Sequence, residues 1–299
     1  MSTAFRVTLT GGQETPPNTS TASGLGTVIF DDKAVTASYS FDIQGLDFGP
    51  VVSGQPATDP NDVTRTHFHN QQAGVAGQIV FGQIDQMAQF RQDADDLKIV
   101  PNPDGSWTVS GVWETTDPVN NSGLSIADFA AVLGSAPVTT AVPLYFNVHT
   151  VMFPGGEIRG QLVAIADDND NVVTGTAGND LLPGLGGNDT ILGLAGNDRL
   201  QGGHGKDFMN GGVGNDTLTG GKGPDQFVFN AGFGNDIITD FGKEDRIQFD
   251  SEVFATPQAV LDASKQVGED TVITAGTNTI TLQGVQLASL HEHDFLISA

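Results

Sequence analysis

The amino-acid sequence predicts an all-β protein: an antiparallel sandwich or barrel, then a parallel β-roll, then a small C-terminal α/β cap. A nine-residue unit repeats six times without a break over residues 175–228, and a seventh unit begins at Ala231. Before the repeats, short stretches of alternating apolar and polar residues are separated by Gly, Pro and Asp, which is typical of antiparallel sheets. After the repeats, the pattern predicts one short helix and one hairpin.

Length and composition bound the organisation of the chain. At 299 residues the expectation is two domains. The net charge of −24, from 36 acidic and 12 basic residues, makes nucleic acid and anionic membrane surfaces poor partners. The chain has no cysteine, which excludes disulfides and thiolate metal sites. No apolar stretch approaches the roughly 20 residues that span a bilayer. The predicted parts are residues 1–166 for the first domain, 167–174 for an acidic linker, 175–250 for the roll and 251–299 for the cap.

The first 165 residues predict many short strands and one helix. Phe5, Val7 and Leu9 alternate with polar neighbours, as in a half-buried strand. Ser125 is the predicted N-cap of a helix that ends at Gly134. Further strands are predicted at 26–30, 35–43, 63–69, 77–81, 107–113, 144–151 and 157–165.

Three segments of this half resemble the CHRD domain, a module first described in chordin. They are LTGGQETPP at 9–17, the His67-Phe-His69 pair, and YFNVHTVMFPGGEIRGQL at 145–162. The resemblance covers roughly residues 4–165, and the stretch 82–125 departs most from the family pattern. It implies an all-β domain found in extracellular proteins, and it implies no settled biochemical activity.

Histidines on two predicted strands form a candidate transition-metal site. His67 and His69 are two residues apart, so they face one side of their strand, and His149 lies on a later strand. Because the opposite faces carry the apolar residues, we expect all three histidines on the outer, polar face. Three imidazoles suit Zn²⁺ or Cu²⁺. A solvated or hydrogen-bonded cluster and metal-free acid–base chemistry are the alternatives. Residues expected to support such a site are Tyr145, Asn147, Glu157 and Arg159.

The repeat unit has Gly at the fourth place, Asp at the sixth and an apolar residue at the eighth. One unit cannot bury its single apolar side chain, so units must stack. If one coil takes two units, aspartates 18 residues apart meet on one edge, where strands lie roughly 4.8 Å apart. Two carboxylates about 5 Å apart repel by roughly 3 kcal/mol at an effective dielectric of about 20. A column of such carboxylates therefore needs cations.

Carboxylate and backbone carbonyl oxygens form a ligand set that suits Ca²⁺. The unit resembles the nonapeptide repeat of RTX proteins, and that resemblance implies a β-roll with several Ca²⁺ ions. The alternative is a flexible linker rich in Gly and Asp. The constant nine-residue spacing of the repeat units argues against it. The candidate calcium ligands are Asp180, Asp189, Asp198, Asp207, Asp216, Asp225 and Asp236. The glycines expected to shape the turns are Gly184, Gly193, Gly202, Gly203, Gly211, Gly212 and Gly220.

Residues 251–299 predict a cap, which also resembles the uncleaved C-terminal signal of RTX proteins exported by type I secretion. Thr256 and Pro257 are the predicted N-cap and first residue of a short helix. Stretches 270–275 and 279–285 are predicted as a hairpin. His204, His291 and His293 are interpreted as incidental surface residues. The N-terminal residues lack the pattern of a cleavable signal peptide, so we expect export by another route.

Two hypotheses of function follow. In the first, the chain is a secreted bacterial calcium-binding protein that folds outside the cell. Its partners are calcium, the type I secretion machinery and an extracellular ligand recognised by the CHRD module in adhesion or another interaction. In the second, it is an exported metalloenzyme that uses His67, His69 and His149 with Zn²⁺ or Cu²⁺. The sequence leaves open whether the chain is an enzyme.

Overall fold

The chain folds into two compact units, Met1–Ile165 and Ala166–Ala299. The computed structural model describes residues 1–13, 18–49, 52, 59–60, 62–71, 79–85, 97–117, 125–154, 156 and 158–298, with the backbone alone at 69 and 79–85. Both units are built from strands with a few short helices, which confirms the predicted all-β class. In the described part of the chain, no helix has the length and apolar character needed to cross a membrane.

The described elements of the first unit include nine strands, helix α1 at Ile126–Gly134 and a 3-10 turn at Gly11–Gln13. The strands are β1 (Ser2–Thr10), β2 (Ser23–Asp31), β3 (Thr36–Gln44), β4 (Val63–His69), β5 (Ile79–Asp85), β6 (Lys98–Pro101), β7 (Trp107–Trp113), β8 (Ala141–Thr150) and β9 (Ile158–Asp167). The bounds of β4 and β7 are those predicted from the sequence, whereas β6 lies outside every predicted strand.

These strands form one antiparallel sheet, in the order β5-β4-β8-β9-β1-β2-β3-β7-β6. The sheet curls, since the ring of Phe68 on β4 lies 5.8 Å from that of Tyr39 on β3, although four strands separate β4 from β3. Phe146 on β8 stacks on Phe41 on β3 with ring centroids 4.0 Å apart. The curled face encloses the aromatic core, and the opposite face carries the side chains that alternate with it.

Helix α1 adds its apolar face to this core. The backbone N–H of Ser125, the N-cap, donates to Oδ2 of Asp128 at 2.7 Å. Ile126, Phe129 and Leu133 are buried, at the spacing of one helix face. The predicted helix is therefore confirmed at both ends.

The described residues of the second unit, which end at 298, form thirteen strands, one α-helix (α2, Pro257–Asp262) and 3-10 turns at Leu287–Ser289 and Glu292–Asp294. The strands are β10 (Val172–Thr174), β11 (Leu181–Pro183), β12 (Thr190–Leu192), β13 (Arg199–His204), β14 (Phe208–Asn210), β15 (Thr217–Lys222), β16 (Gln226–Phe229), β17 (Asn235–Ile238), β18 (Arg246–Asp250), β19 (Ser264–Val267), β20 (Asp270–Ala275), β21 (Asn278–Leu282) and β22 (Phe295–Ser298).

Successive repeat units alternate between two sheets, of order β10-β12-β14-β16-β18-β22 and β11-β13-β15-β17-β21-β20-β19. Parallel strands pair residues that lie 18 apart, as Leu182 with Leu200 and Ile191 with Met209, or 20 apart after the two-residue slip, as Leu218 with Ile238. One coil therefore takes two units, and the parallel β-roll is confirmed. The eighth-place side chains are fully buried: Leu182, Ile191, Leu200, Met209, Leu218, Phe227 and Ile238.

The sequence predicts residues 167–174 as a linker, and the structure places residues 171–174 of this stretch in the first coil of the roll. Val173 on β10 pairs with Ile191 and is fully buried. The backbone N–H of Asn171 donates to Oδ1 of Asp189 at 2.7 Å. This stretch lacks the glycines of the repeat but keeps its apolar eighth place, which is sufficient for strand pairing.

The C-terminal cap continues both sheets of the roll. Strand β21 pairs in parallel with β17, and β22 pairs in parallel with β18. Strands β20 and β21 form the predicted hairpin, with Val272 opposite Thr281. Thr256 caps α2 as predicted, because its Oγ1 accepts from the N–H of Ala259 at 3.2 Å. Residues 251–298 therefore belong to the same folded unit as the repeats.

Candidate functional site

The sixth-place aspartates stand in two columns along the roll, one beside each sheet. Each lies directly before a strand, except Asp236, which is the second residue of β17, and each is at most 4% exposed. One column contains Asp180, Asp198, Asp216 and Asp236, and the other contains Asp189, Asp207 and Asp225. The stacking of coils thus brings together carboxylates that are 18 or 20 residues apart.

One oxygen of these carboxylates holds the preceding coil. Oδ1 of Asp216 accepts a hydrogen bond from the backbone N–H of Asp198, and Oδ1 of Asp207 accepts one from the N–H of Asp189, both at 2.8 Å. The same contact recurs along both columns at 2.8–3.0 Å. Each such bond satisfies a buried backbone donor, so the aspartates have a structural role besides any role as ligands.

The other oxygen is the one available to a cation. Within the described residues, Oδ2 of Asp189, Asp207, Asp216 and Asp225 is buried and has no hydrogen-bond partner. Burial raises the pKa of Asp189 and Asp225 to about 7 and that of Asp236 to about 8, because a buried anion loses its hydration. Without a cation, the ionised carboxylates are therefore unfavourable in this fold.

The first-place glycines leave space beside these oxygens. A Cβ on Gly184 would collide with Oδ2 of Asp189 and with the carbonyl oxygen of Gly202. A Cβ on Gly202 would meet Oδ2 of Asp207 and the carbonyl oxygen of Gly220 in the same way. Each carboxylate oxygen thus lies near a carbonyl oxygen of the next coil. This all-oxygen arrangement, with its unpaired carboxylate oxygens, fits Ca²⁺, which the side chains of the columns and these carbonyls would hold.

The predicted turn glycines have two different roles. Gly203 and Gly212 adopt φ of 105° and 97°, a region that favours glycine. The five first-place glycines have no such φ and are required for space. Leu185 and Leu194 occupy the left-handed region at the second place of earlier units, with φ of 76° and 78°.

One column residue escapes the sequence prediction. Oδ1 of Asp245 accepts from the N–H of Asp225 at 2.9 Å, so it extends the second column by one step. Asp245 is 5% exposed, and burial raises its pKa as well. Asp245 could have been predicted from the sequence, because it lies nine residues after Asp236. The repeat pattern is weaker there, since Lys243 stands at the fourth place, where the other units have glycine.

His67 and His149 lie side by side on the second face of the curled sheet. Their Nε2 atoms are 2.8 Å apart and their ring centroids 4.5 Å apart. Nδ1 of His149 lies 3.0 Å from the carbonyl oxygen of Pro154, an acceptor, so the proton of the neutral ring sits on Nδ1. Nε2 of His149 then presents its lone pair to His67.

His67 and His149 lie on the face opposite the aromatic core, but this predicted outer face is buried where they stand. His67 is 3% and His149 7% exposed. Their neighbours on this face are also buried, namely Tyr145, Asn147 and Arg159. Strand alternation identifies a face, but it does not reveal whether other parts of the domain cover that face.

Two basic side chains, Arg65 and Arg159, lie near the pair. Burial lowers the pKa of His149, the hydrogen bond to the carbonyl of Pro154 partly offsets this, and the charge of Arg65 lowers the pKa further. The guanidinium of Arg159 lies 3.8 Å from the centroid of the Tyr145 ring, a cation–π contact. Of the other predicted site residues, Glu157 and the side chain of His69 lie outside the described part of the chain.

Comparisons with known proteins identify both halves. The model of the CHRD domain family matches residues 5–162. The model of the RTX calcium-binding nonapeptide repeat matches 165–200, 183–218 and 192–227. No curated protein matches the chain.

Two solved structures are similar to parts of the chain. The crystal structure of the extracellular lipase LipA from Serratia marcescens is 20% identical with a TM-score of 0.37, over 69% of this chain and 32% of the lipase. The solution structure of the AlgE6R3 subunit from the Azotobacter vinelandii mannuronan C5-epimerase is 25% identical with a TM-score of 0.23, over 44% of this chain and 80% of the subunit. The chain spans about a third of the lipase, so these likenesses carry no argument about activity.

The CHRD model covers just over half of the chain, and the repeat model covers the coils that carry the aspartate columns. This protein therefore belongs to the CHRD domain family and carries RTX calcium-binding nonapeptide repeats.

Proposed function

We propose that this chain is a secreted, extracellular protein whose roll folds as it binds several Ca²⁺ ions, and whose CHRD domain then serves adhesion or another extracellular interaction. The observation that carries the proposal is the pair of buried carboxylate columns with unpaired oxygens at Asp189, Asp207, Asp216 and Asp225. Extracellular calcium modules bind with dissociation constants of roughly 10⁻⁴–10⁻³ M. A roll in that range stays unfolded where calcium is scarce and folds outside the cell.

Calcium titration of the full-length chain tests the folding step. Far-UV circular dichroism is expected to gain β signal as calcium is added and to lose it in chelator. Ligand at about 100 times its dissociation constant stabilises a fold by roughly 2.7 kcal/mol per site. The Asp198→Ala/Asp216→Ala variant is expected to need more calcium. A roll that keeps its full β signal in chelator contradicts the proposal.

Export through a type I system is the second part of the proposal, and it rests on the RTX repeats. Truncation at Asp250 is a poor test, because β21 and β22 pair with β17 and β18, so the truncation damages the fold as well. Fusion of residues 251–299 to an unrelated passenger separates signal from fold. The passenger is expected in the medium only when a type I transporter is present. Retention of the passenger in the cell excludes a signal in this segment.

The interaction role of the CHRD domain needs its own measurement. Labelled full-length chain and a matched segment of residues 166–299 are compared, both in calcium, for retention on cells or matrix of the producing organism. We expect retention of the full-length chain alone. Equal retention of both assigns the interaction to the roll and removes it from the CHRD domain.

A second candidate function, an exported metal-dependent enzyme, is favoured by the contact of His67 with His149. Neutral imidazoles with facing Nε2 atoms share either one proton or one metal ion. Nitrogen ligands of a tetrahedral zinc ion lie roughly 3.3 Å apart, given bonds of 2.0–2.1 Å, so the observed 2.8 Å must open by about 0.5 Å. The lowered pKa of His149 favours the neutral form that binds metals.

Elemental analysis of the full-length chain secreted into metal-sufficient medium decides this candidate. His67→Ala/His149→Ala is expected to hold one Zn²⁺ or Cu²⁺ fewer per chain than the unaltered protein. His204→Ala, an exposed histidine in the roll, is the control. Equal metal content in all three proteins, or none in the unaltered chain, leaves the two rings joined by a hydrogen bond.

A further inference from the structure

We propose that His291, His293 and Asp294 bind one divalent transition-metal ion of the zinc class at the C-terminal end of the roll. One ligand atom from each side chain can be chosen so that all three lie within 4.8 Å of one another. Nε2 of His293 lies 3.3 Å from Oδ1 of Asp294. The rings of His291 and His293 are stacked, with centroids 5.2 Å apart.

The carboxylate of this cluster is fixed before any metal arrives. Asp294 is 5% exposed, and its Oδ2 accepts a hydrogen bond from the backbone N–H of His291 at 2.8 Å. Oδ1 therefore points to a defined place beside the imidazole of His293. The two imidazoles are exposed, so their rings can turn toward a shared ion at low cost. A fixed carboxylate with two adjustable imidazoles is a workable set of ligands.

The cluster lies where the second aspartate column ends. Ile247 on β18 pairs with Phe295 on β22. Asp294 stands directly before β22, as Asp245 stands directly before β18. Oδ2 of each accepts a hydrogen bond from the backbone N–H three residues earlier. The last coil thus keeps a carboxylate at this step and adds two imidazoles beside it.

The two added imidazoles change the metal that this end of the column selects. The columns offer only oxygen atoms, which suit Ca²⁺. Two imidazole nitrogens and one carboxylate oxygen suit Zn²⁺ and its neighbours in the first transition row. Three protein ligands leave positions for water. The ion would stabilise the turn Glu292–Asp294, which directly precedes β22. Strand β22 is the last strand of the six-stranded sheet.

The test uses the full-length chain, saturated with calcium, and Zn²⁺ as the probe. Calorimetric titration is expected to show one zinc equivalent fewer in His291→Ala/His293→Ala than in the unaltered chain, whereas His204→Ala keeps the full number. Differences between proteins are compared, so zinc bound elsewhere does not obscure the result. Asp294→Asn keeps an oxygen acceptor for the N–H of His291 and is expected to weaken zinc binding at this site at least about tenfold.

Thermal unfolding supplies a second readout. In saturating calcium, added Zn²⁺ is expected to raise the melting temperature of the unaltered chain and of His204→Ala by the same amount, and to raise that of the double variant less. Equal zinc stoichiometry and equal thermal response in the double variant and His204→Ala overturn the proposal. So does a loss of the same equivalent in His204→Ala.

Discussion

At the residue scale, an interior column aspartate such as Asp216 divides its two oxygens between two tasks. Oδ1 of Asp216 holds the backbone of the neighbouring coil through the N–H of Asp198, while its Oδ2 has no hydrogen-bond partner among the described residues. Substitution by asparagine separates the tasks, because the amide keeps an oxygen acceptor and removes the charge.

Asp216→Asn is expected to lower calcium affinity by about tenfold or more, since one carboxylate–cation attraction is lost, with little change in the calcium-saturated circular dichroism spectrum. Glu269→Gln removes the same charge at an exposed position and is expected to leave the affinity nearly unchanged. Calcium titration followed by circular dichroism measures both. Equal affinities would mean that net charge, and not the column, governs binding.

The first-place glycines allow a prediction about space. Gly202→Ala places a methyl group against Oδ2 of Asp207 and the carbonyl oxygen of Gly220. Overpacking of this kind costs about 1–3 kcal/mol, measured as a shift of the urea midpoint in saturating calcium. Gly178→Ala is the matched control, because its Cβ would meet only Oγ1 of Thr176 at 3.8 Å. A stability loss as large in Gly178→Ala argues against the steric explanation.

At the element scale, fifth-place side chains form a second ladder that runs opposite to the aspartate ladder. Oδ1 of Asn179 accepts from the N–H of Asn197, and Oδ1 of Asn197 accepts from the N–H of Asn215, at 2.7 and 2.8 Å. On the other edge the ladder stops at Lys206, whose side chain has no acceptor. The next residue at this place is Pro224, which has no N–H to donate, so the interruption leaves no donor unsatisfied.

This pairing predicts a stabilising double substitution. Lys206→Asn/Pro224→Asn restores both acceptor and donor and is expected to add one hydrogen bond, worth about 0.5–1.5 kcal/mol. Pro224→Asn alone is expected to be nearly neutral or slightly destabilising, because the new N–H finds only water. Urea unfolding of the two single variants and the double variant gives the coupling energy. Additive single effects would show that the ladder does not form.

The elements differ in how far their sequence determines them. The roll could be predicted because the same residue types recur every nine positions. The same nine-residue spacing, continued from Asp236, also leads to Asp245. Strand β6 (Lys98–Pro101) could not, because its two adjacent apolar residues show no alternation and its place depends on pairing with β7. The burial of His67 and His149 likewise depends on what covers the second face of the sheet, which no local pattern records.

At the scale of the whole molecule, calcium binding and proton binding are linked. Aspartate in an unfolded chain titrates near 3.9, whereas burial raises the pKa of Asp189 and Asp225 to about 7 and that of Asp236 to about 8. The stability contributed by these protons is therefore fully present below about pH 4 and is lost as pH rises through 7–8. The metal-free roll is expected to unfold as pH rises, and the calcium-bound roll is not.

Calcium binding near pH 5, where bound protons keep the metal-free roll folded, is accordingly expected to release protons. Asp189, Asp225 and Asp236 are then protonated in the metal-free roll, which amounts to about three protons per chain. Calorimetry in two buffers of different ionisation enthalpy measures the number. At pH 9 the release is expected to approach zero, since these carboxylates are then already ionised. The same small value at both pH values would contradict the raised pKa.

The stacking of parallel coils also determines how the roll responds to force. Each coil contacts only its neighbours, so tension along the stack peels coils from an end one at a time. A coil of 18 residues extends to roughly 60 Å at about 3.4 Å per residue while giving up one strand spacing of about 4.8 Å. Single-molecule stretching is expected to show repeated steps of about 55 Å in calcium and none in chelator. The calcium-bound roll therefore keeps its length until a load is applied, and then lengthens by one unfolded coil at a time.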